Sequence, residues 1–258
     1  MMIRSLAVLT FLVCANVQAW ECKFERKLDE SLDVSGSESL AIAAAAGDLV
    51  ISGGSDSKVV KIRGKVCASR QEWLDEAKLQ TQAGEQAEIN VLLPSTDGNW
   101  SMWGSHYAYI DLELEVPDSL DLQVRDSSGD IEIEDVAAVS VKDSSGDIKI
   151  QHASGRVEIS DSSGDIRVND LKGDFTIVSD SSGDIRGSHI DGSVLVESDS
   201  SGDIRFSEVE QNVVVERDSS GDITVESIGG DFRVLKDGSG DINSKDIKGQ
   251  VEIPDHKG

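Results

Sequence analysis

The sequence has 258 residues, enough for one large domain or two small ones, and its 49 acidic against 24 basic residues give a formal net charge of −25. A surface so acidic repels nucleic acid and anionic lipid headgroups, so no nucleic-acid partner is expected, and it favours cationic partners or metal ions. After the N-terminal segment no stretch approaches the roughly 18 consecutive apolar residues of a spanning helix, so no membrane span is expected.

The chain opens with Arg4, a short apolar run over 5–14 and the small-residue pattern Val17-Gln18-Ala19. That order is the layout of a secretory signal peptide, so residues 1–19 are expected to be removed and the mature chain to be exported, to the periplasm or beyond the cell. Val13 before Cys14 does not suit lipid attachment. Cleavage leaves Cys22 and Cys67, an even pair, and an exported protein is expected to bridge it; two free thiols are the alternative.

Residues 20–120 are read as an irregular N-terminal cap with degenerate first coils. Within it 47–53, Gly-Asp-Leu-Val-Ile-Ser-Gly, resembles a first, imperfect coil. Ser69 followed by Glu72 has capping-box spacing and predicts a short helix over 70–77. The segments 87–93 and 108–116 alternate as strands. Between them lies an aromatic stretch with Trp100, Trp103 and Tyr107, which either plugs the open end of the fold or forms a docking tip for a partner.

Residues 121–258 are governed by a repeat. DSSGDI begins at Asp126, Asp143, Asp161, Asp180, Asp199 and Asp218, and a DGSGDI copy at Asp237, at spacings of 17, 18, 19, 19, 19 and 19 residues. Each period holds two short runs of period-two alternation. One begins at the Ile of GDI, as in Ile166/Val168, and the other lies about nine residues on, as in Val157/Ile159. Strands this short cannot bury a face alone, but stacked coils give each one a parallel neighbour and a shared core. The expected fold is all-β: a single-chain parallel β-solenoid with two short strands per coil of about 19 residues. Insertions fall at the corners, where glycine supplies positive φ.

The layout resembles a bacterial β-strand-repeat family of unknown function labelled as candidate adhesins. The resemblance rests on Gly47 to Ile51, on Val116-Pro117 and on the seven GDI copies, and it covers roughly 34–253. It implies the solenoid fold and an adhesin-like role, and it supplies no catalytic residues.

Candidate chemistry is sparse. His106, His152, His189 and His256 share no metal-ligand spacing and read as surface residues, and no hydrolase or phosphate-loop motif occurs. No enzyme is therefore expected; a polysaccharide-active β-helix is the least favoured reading, because coils this short leave little room for a cleft. In the GDI triplet the Asp points outward, and the residue after Ile joins it. A column of acids, Asp130 through Asp241, then runs beside Lys149, Arg167, Arg186 and Arg205. Mutual neutralisation of stacked charges is the simpler account of that ladder; a ligand-binding stripe is the other. The first Asp of each repeat, at 126, 143, 161, 180, 199, 218 and 237, stands at a corner where a short carboxylate accepts backbone N–H bonds. No cofactor is expected, and calcium on those aspartates is the rival reading. The function expected is that of an exported envelope scaffold or binding protein, with an unidentified envelope protein or glycan as partner; the alternative is a divalent-cation-binding β-roll.

Overall fold

The computed structural model describes residues 22–95 and 106–254. The leader and Trp100 and Trp103 lie outside the described residues. The N-terminal strands are β1 (Phe24–Asp33), β2 (Ser39–Ala46), β3 (Leu49–Ser55) and β4 (Val59–Ala68). A short helix α1 (Gln71–Glu76) follows, then β5 (Lys78–Gln82), β6 (Gln86–Leu92), β7 (Ala108–Pro117) and β8 (Asp121–Ser128). The repeats supply β9 (Ile131–Glu134), β10 (Val139–Lys142), β11 (Ile148–Gln151), β12 (Val157–Ser160), β13 (Ile166–Leu171), β14 (Phe175–Ser179) and β15 (Ile185–Ile190). They continue with β16 (Val194–Val196), β17 (Ile204–Val209), β18 (Val213–Val215), β19 (Ile223–Ile228), β20 (Phe232–Val234), β21 (Ile242–Ile247) and β22 (Val251–Glu252).

Two eleven-stranded sheets result. The first runs β1-β4-β7-β3-β9 and then through every odd strand to β21; the second runs β22-β20 through the even strands to β8, then β2-β6-β5. From β9 onward every pairing is parallel and keeps like with like, so Ile185 is flanked by Ile166 and Ile204. The chain is thus a parallel β-solenoid whose coils alternate between the two sheets. The step from 18 to 19 residues is a bulge: Ile159 pairs with Ile177 but Ser160 with Ser179, leaving Val178 as the extra residue.

Alternation places one apolar row from each sheet inside. Ile148, Ile166, Ile185, Ile204 and Ile223 are fully buried, as are Phe175 and Phe232 facing them from the other sheet. Ile242 is only half-buried, because β21 is an edge strand with a neighbour on one side. Gly187 interrupts the inner column of the first sheet, and Phe206 from the next coil fills the space: a Cβ on Gly187 would stand 2.9 Å from the Phe206 ring. That ring meets Phe175 edge-on at 6.1 Å.

At the N-terminal end β1, β4 and β7 pair antiparallel, so the chain wraps back over the first coils. The helix is shorter than the expected 70–77, and Ser69 does not cap it. Arg70 is the N-cap and makes no side-chain cap bond; the Ser69 hydroxyl instead accepts the Tyr107 N–H at 3.1 Å. Cys22 and Cys67 are bridged across 45 residues. Closing a loop of that length is worth about 4 kcal/mol by chain entropy, so reduction is expected to destabilise the cap by roughly 2–4 kcal/mol in urea unfolding. Two reactive thiols in unreduced, natively secreted material would contradict the bridge.

Candidate functional site

Each coil turns from the second sheet to the first through DSSGD, and three side-chain columns meet at this corner. The outermost is the Asp of GDI. Its Oδ1 accepts the backbone N–H of the corresponding Asp in the next coil: Asp184 donates to Asp165 at 3.0 Å, Asp203 to Asp184 at 2.9 Å and Asp222 to Asp203 at 2.9 Å. That donation holds the Asp165 and Asp203 carboxyls below the ordinary carboxylate range. The other oxygen of the same group meets the cation column. Arg167 spans Asp147 at 3.2 Å and Asp165 at 2.5 Å, and Arg186 spans Asp165 and Asp184. Arg205 joins Asp203 at 2.6 Å, and Lys149 reaches Glu132 at 2.5 Å. The four cations foreseen as a ladder are therefore occupied in neutralising stacked acids, each exposed pair adding only about 0–1 kcal/mol. The second column is serine: Ser163, Ser182, Ser201 and Ser220 each donate a hydroxyl to a carbonyl of the preceding coil, at 3.0–3.3 Å.

The third column is the first Asp of each repeat, and it is buried. Asp126 and Asp143 are 7% exposed, Asp161 3%, Asp180 2%, Asp199 0% and Asp218 1%. One oxygen behaves as expected of a corner aspartate: Asp143 and Asp161 accept the next residue's N–H at 2.7 and 2.6 Å, and Asp180 and Asp218 accept from the second Ser at 3.3 and 3.2 Å. The second oxygen, Oδ2 of Asp143, Asp161, Asp180 and Asp218, has no hydrogen-bond partner, nor has either oxygen of Asp126 or Asp199. Burial, reinforced by the charge of its neighbours Asp180 and Asp218, pushes Asp199 up to about 7. Burial likewise raises Asp126, Asp180 and Asp218 to about 6, and it raises Asp143 and Asp161. The seventh member, Asp237 in the last complete corner, is only half-buried. The alternation of the second strand carries the signal for this burial. Leu122, Val124 and Asp126 follow one another two apart, as do Val139, Val141 and Asp143. In later coils the bulge at Val178 restores the same inward phase after one extra residue.

The Toastrack DUF4097 family model matches residues 72–172 and 153–258, most of the chain. The chain belongs to the Toastrack DUF4097 family. Among solved structures, this Toastrack chain is similar to a candidate adhesin from Bacteroides fragilis, with 12% identity, TM-score 0.47 and coverage of 89% of this chain and 97% of that one. It is similar to a candidate cell adhesion protein from Clostridium sporogenes, at 12% identity, TM-score 0.34 and coverage of 89% and 99%. It is also similar to a candidate lipid binding protein from Parabacteroides distasonis, at 14% identity, TM-score 0.43 and coverage of 87% and 96%. No curated protein matches the chain.

Elsewhere on this Toastrack fold, His152 and His189 share one column two coils apart. Both have positive φ, at 55° each, as do Asp135, Asp170 and Glu208 between and beside them. His189 Nε2 lies 3.1 Å from Glu208, and His152 lies 3.6 Å from Asp135 and 3.8 Å from Asp170. The sequence shows this column only once the αL turn before each third apolar residue is known. Tyr107 is half-buried beside the cap, its ring 6.1 Å from Tyr109 and its hydroxyl accepting the Lys23 N–H at 3.3 Å. On the outer face of the second sheet, Arg125, Lys142 and Arg156 line a hollow of about 350 Å³ above Ser140, together with Gln123 and the carboxylates Asp121 and Glu158. Arg125 and Lys142 are register partners with no ion pair among the described residues, and neither has Arg156 one. Among the described residues no group of three or more His, Cys, Asp or Glu side chains is placed to hold a metal ion, and no helix is long and apolar enough to cross a membrane.

Proposed function

We propose that the chain is an exported, non-catalytic binding or scaffold protein of the cell envelope, adhesin-like in presenting a rigid strand wall to a carboxylate-bearing glycan or protein. The observation that carries this reading is the hollow above Ser140. Arg125 and Lys142 stand side by side along one part of its lining and Arg156 at another, none of them in an ion pair among the described residues although Asp121 and Glu158 line the hollow too, whereas Arg167, Arg186 and Arg205 of the first sheet are engaged by the outer Asp column. Unpaired cations brought together on so acidic a chain are electrostatically complementary to an anionic group, and the polar floor leaves hydrogen-bonding positions around it. Export is supported by the leader pattern and by the Cys22–Cys67 bridge, which belongs to an oxidising compartment. A non-catalytic role is supported by the recurrence of the Ser and Asp residues in every coil, where each has a structural task.

The test is binding of the mature protein to isolated envelopes and to arrayed acidic glycans. An R125A/K142A/R156A variant is expected to lose roughly tenfold or more in affinity, about 1.4 kcal/mol, while its stability stays within about 0.5 kcal/mol because all three side chains are at the surface. Unchanged binding by that variant would exclude the hollow as the binding surface.

The second reading is a divalent-cation β-roll, favoured by the orphan oxygens of the buried aspartates. It predicts several saturating calcium sites in calorimetry and a melting temperature that rises with calcium concentration.

A further inference from the structure

The buried aspartates raise a question that the envelope role does not answer. Six carboxyls, one per coil, stack in register at the spacing of parallel strands, about 4.8 Å. The chain bridges two of them directly, Asp180 beside Asp199. All six are more than nine-tenths buried, and each keeps at least one oxygen without a donor. Uncompensated buried carboxylates this close to one another are untenable, because each loses its hydration and repels the next. Something must satisfy those oxygens.

The charged groups facing the column are acids. Asp48 acts on Asp126, Asp130 on Asp143, Asp147 on Asp161, Asp165 on Asp180, and Asp203 and Asp237 on Asp218. The cations that precede the column in the chain, Arg125, Lys142 and Arg217, are exposed on the opposite side of the strand. Arg167, Arg186 and Arg205 are engaged with the outer Asp column. Among the described residues no fixed cation is therefore available to the inner carboxyls. The supply that fits six isolated pairs of oxygens, rather than a converging cage, is the proton.

We propose that Asp126, Asp143, Asp161, Asp180, Asp199 and Asp218 form a proton-holding column, in which a neutral carboxylic acid in one coil donates its O–H to the orphan oxygen of the next. The arrangement is the acid counterpart of the side-chain ladders that join stacked strands in register. Each shared proton converts a repulsive contact into a coil-to-coil hydrogen bond, so the solenoid tightens in mild acid and loosens as the medium turns alkaline. The sign follows from the raised carboxyls. Their contribution is fully present below the ordinary carboxylate range and is lost as pH rises through about 6 to 7. The outer column works the other way: Asp165 and Asp203 are lowered, so their contribution fades only in stronger acid. Greatest stability is therefore expected at mildly acid pH, between the two windows.

Thermal unfolding of the mature protein across about pH 5 to pH 8, once with chelator and once with calcium, tests this, together with difference infrared spectra of the carboxylic-acid carbonyl band. The melting temperature is expected to fall by roughly 5 °C or more toward the alkaline end, equally in both media. The acid band should be present at the low end and vanish through neutrality. Asp199→Asn, which supplies an amide in place of the shared proton, should flatten the pH dependence and weaken the band. A pH-independent melting temperature, or a band absent at the acid end, overturns the proposal. So does calcium restoring the acid-state stability at alkaline pH, since the column would then hold metal ions. If Asp199→Asn does not fold, the wild-type spectra alone decide.

Discussion

Replacing Gly183 with alanine is expected to abolish folding or to remove more than about 4 kcal/mol of stability. The corner demands two things at once. Its backbone lies at φ 130°, a region that residues with a Cβ rarely enter. A Cβ built there would stand 1.9 Å from the Gly164 carbonyl oxygen of the coil beneath. The obstruction is backbone, fixed by parallel pairing on both sides, so no side-chain rotation relieves it. The same contact recurs at Gly164, Gly202 and Gly221, at 1.9, 1.8 and 1.7 Å. Coils can approach to strand spacing at this corner only because the stack is glycine throughout. Gly36→Ala is the control: that residue is exposed and a Cβ there meets nothing within 4 Å, so its effect should stay within about 0.5 kcal/mol. Urea unfolding followed by circular dichroism measures both, and comparable stability in the two variants would show that the coils are not in contact at this corner.

The repeat made this much of the fold legible. A Gly every 17 to 19 residues, an Ile two positions later and a second alternating run fix the corners, the inner rows and the parallel register. Those cues are local and recur in every coil, so each confirms the others. The N-terminal third lacks that redundancy. Leu40, Ile42 and Ala44 face the core, but the residues between and after them are also alanines, so apolar and polar positions do not separate by sequence. The order β8-β2-β6 and the antiparallel wrap of β1 and β4 depend on contacts far apart in the chain, which periodicity cannot reveal. The expected boundary at 120/121 falls inside continuous sheets: β3 lies directly between β7 and β9, and β2 between β6 and β8.

The corner chemistry is legible by parity, but the GDI motif carries only its outer half. Reading outward from GDI placed Asp165 and its neighbours on the surface, beside Arg167 and Arg186, and the ion pairs agree. The alternation of the second strand, Leu122/Val124/Asp126 and Val139/Val141/Asp143, places Asp126 and Asp143 inside. The assumption that a repeated corner aspartate spends itself on backbone N–H bonds accounts for one oxygen and not for the other. The hollow over Ser140 has no repeat signal, since Arg125, Lys142 and Arg156 belong to three coils: Arg125 and Lys142 become neighbours only through stacking, and Arg156 joins the hollow from just before the next strand, β12.

Ile204→Ala is expected to cost roughly 2–5 kcal/mol. Ile204 is fully buried and stacked between Ile185 and Ile223, with Phe206 two residues on in the same inner face. Truncation removes apolar contact from both neighbouring coils, and parallel pairing holds the backbone in place, so collapse into the gap is limited. The cost then approaches the upper part of the range, at about 24 cal/mol for each Å³ of cavity left behind. Because each coil of a solenoid contacts only its neighbours, the loss falls on two interfaces in the middle of the stack. Hydrogen exchange should show β17 to β22 opening ahead of the N-terminal coils, whose bridge and antiparallel wrap are untouched. Leu235→Ala, at a residue 57% exposed in the bulge column, should change stability by less than about 0.5 kcal/mol. Equal effects from the two substitutions would mean that the isoleucine row is not the wall of a packed core.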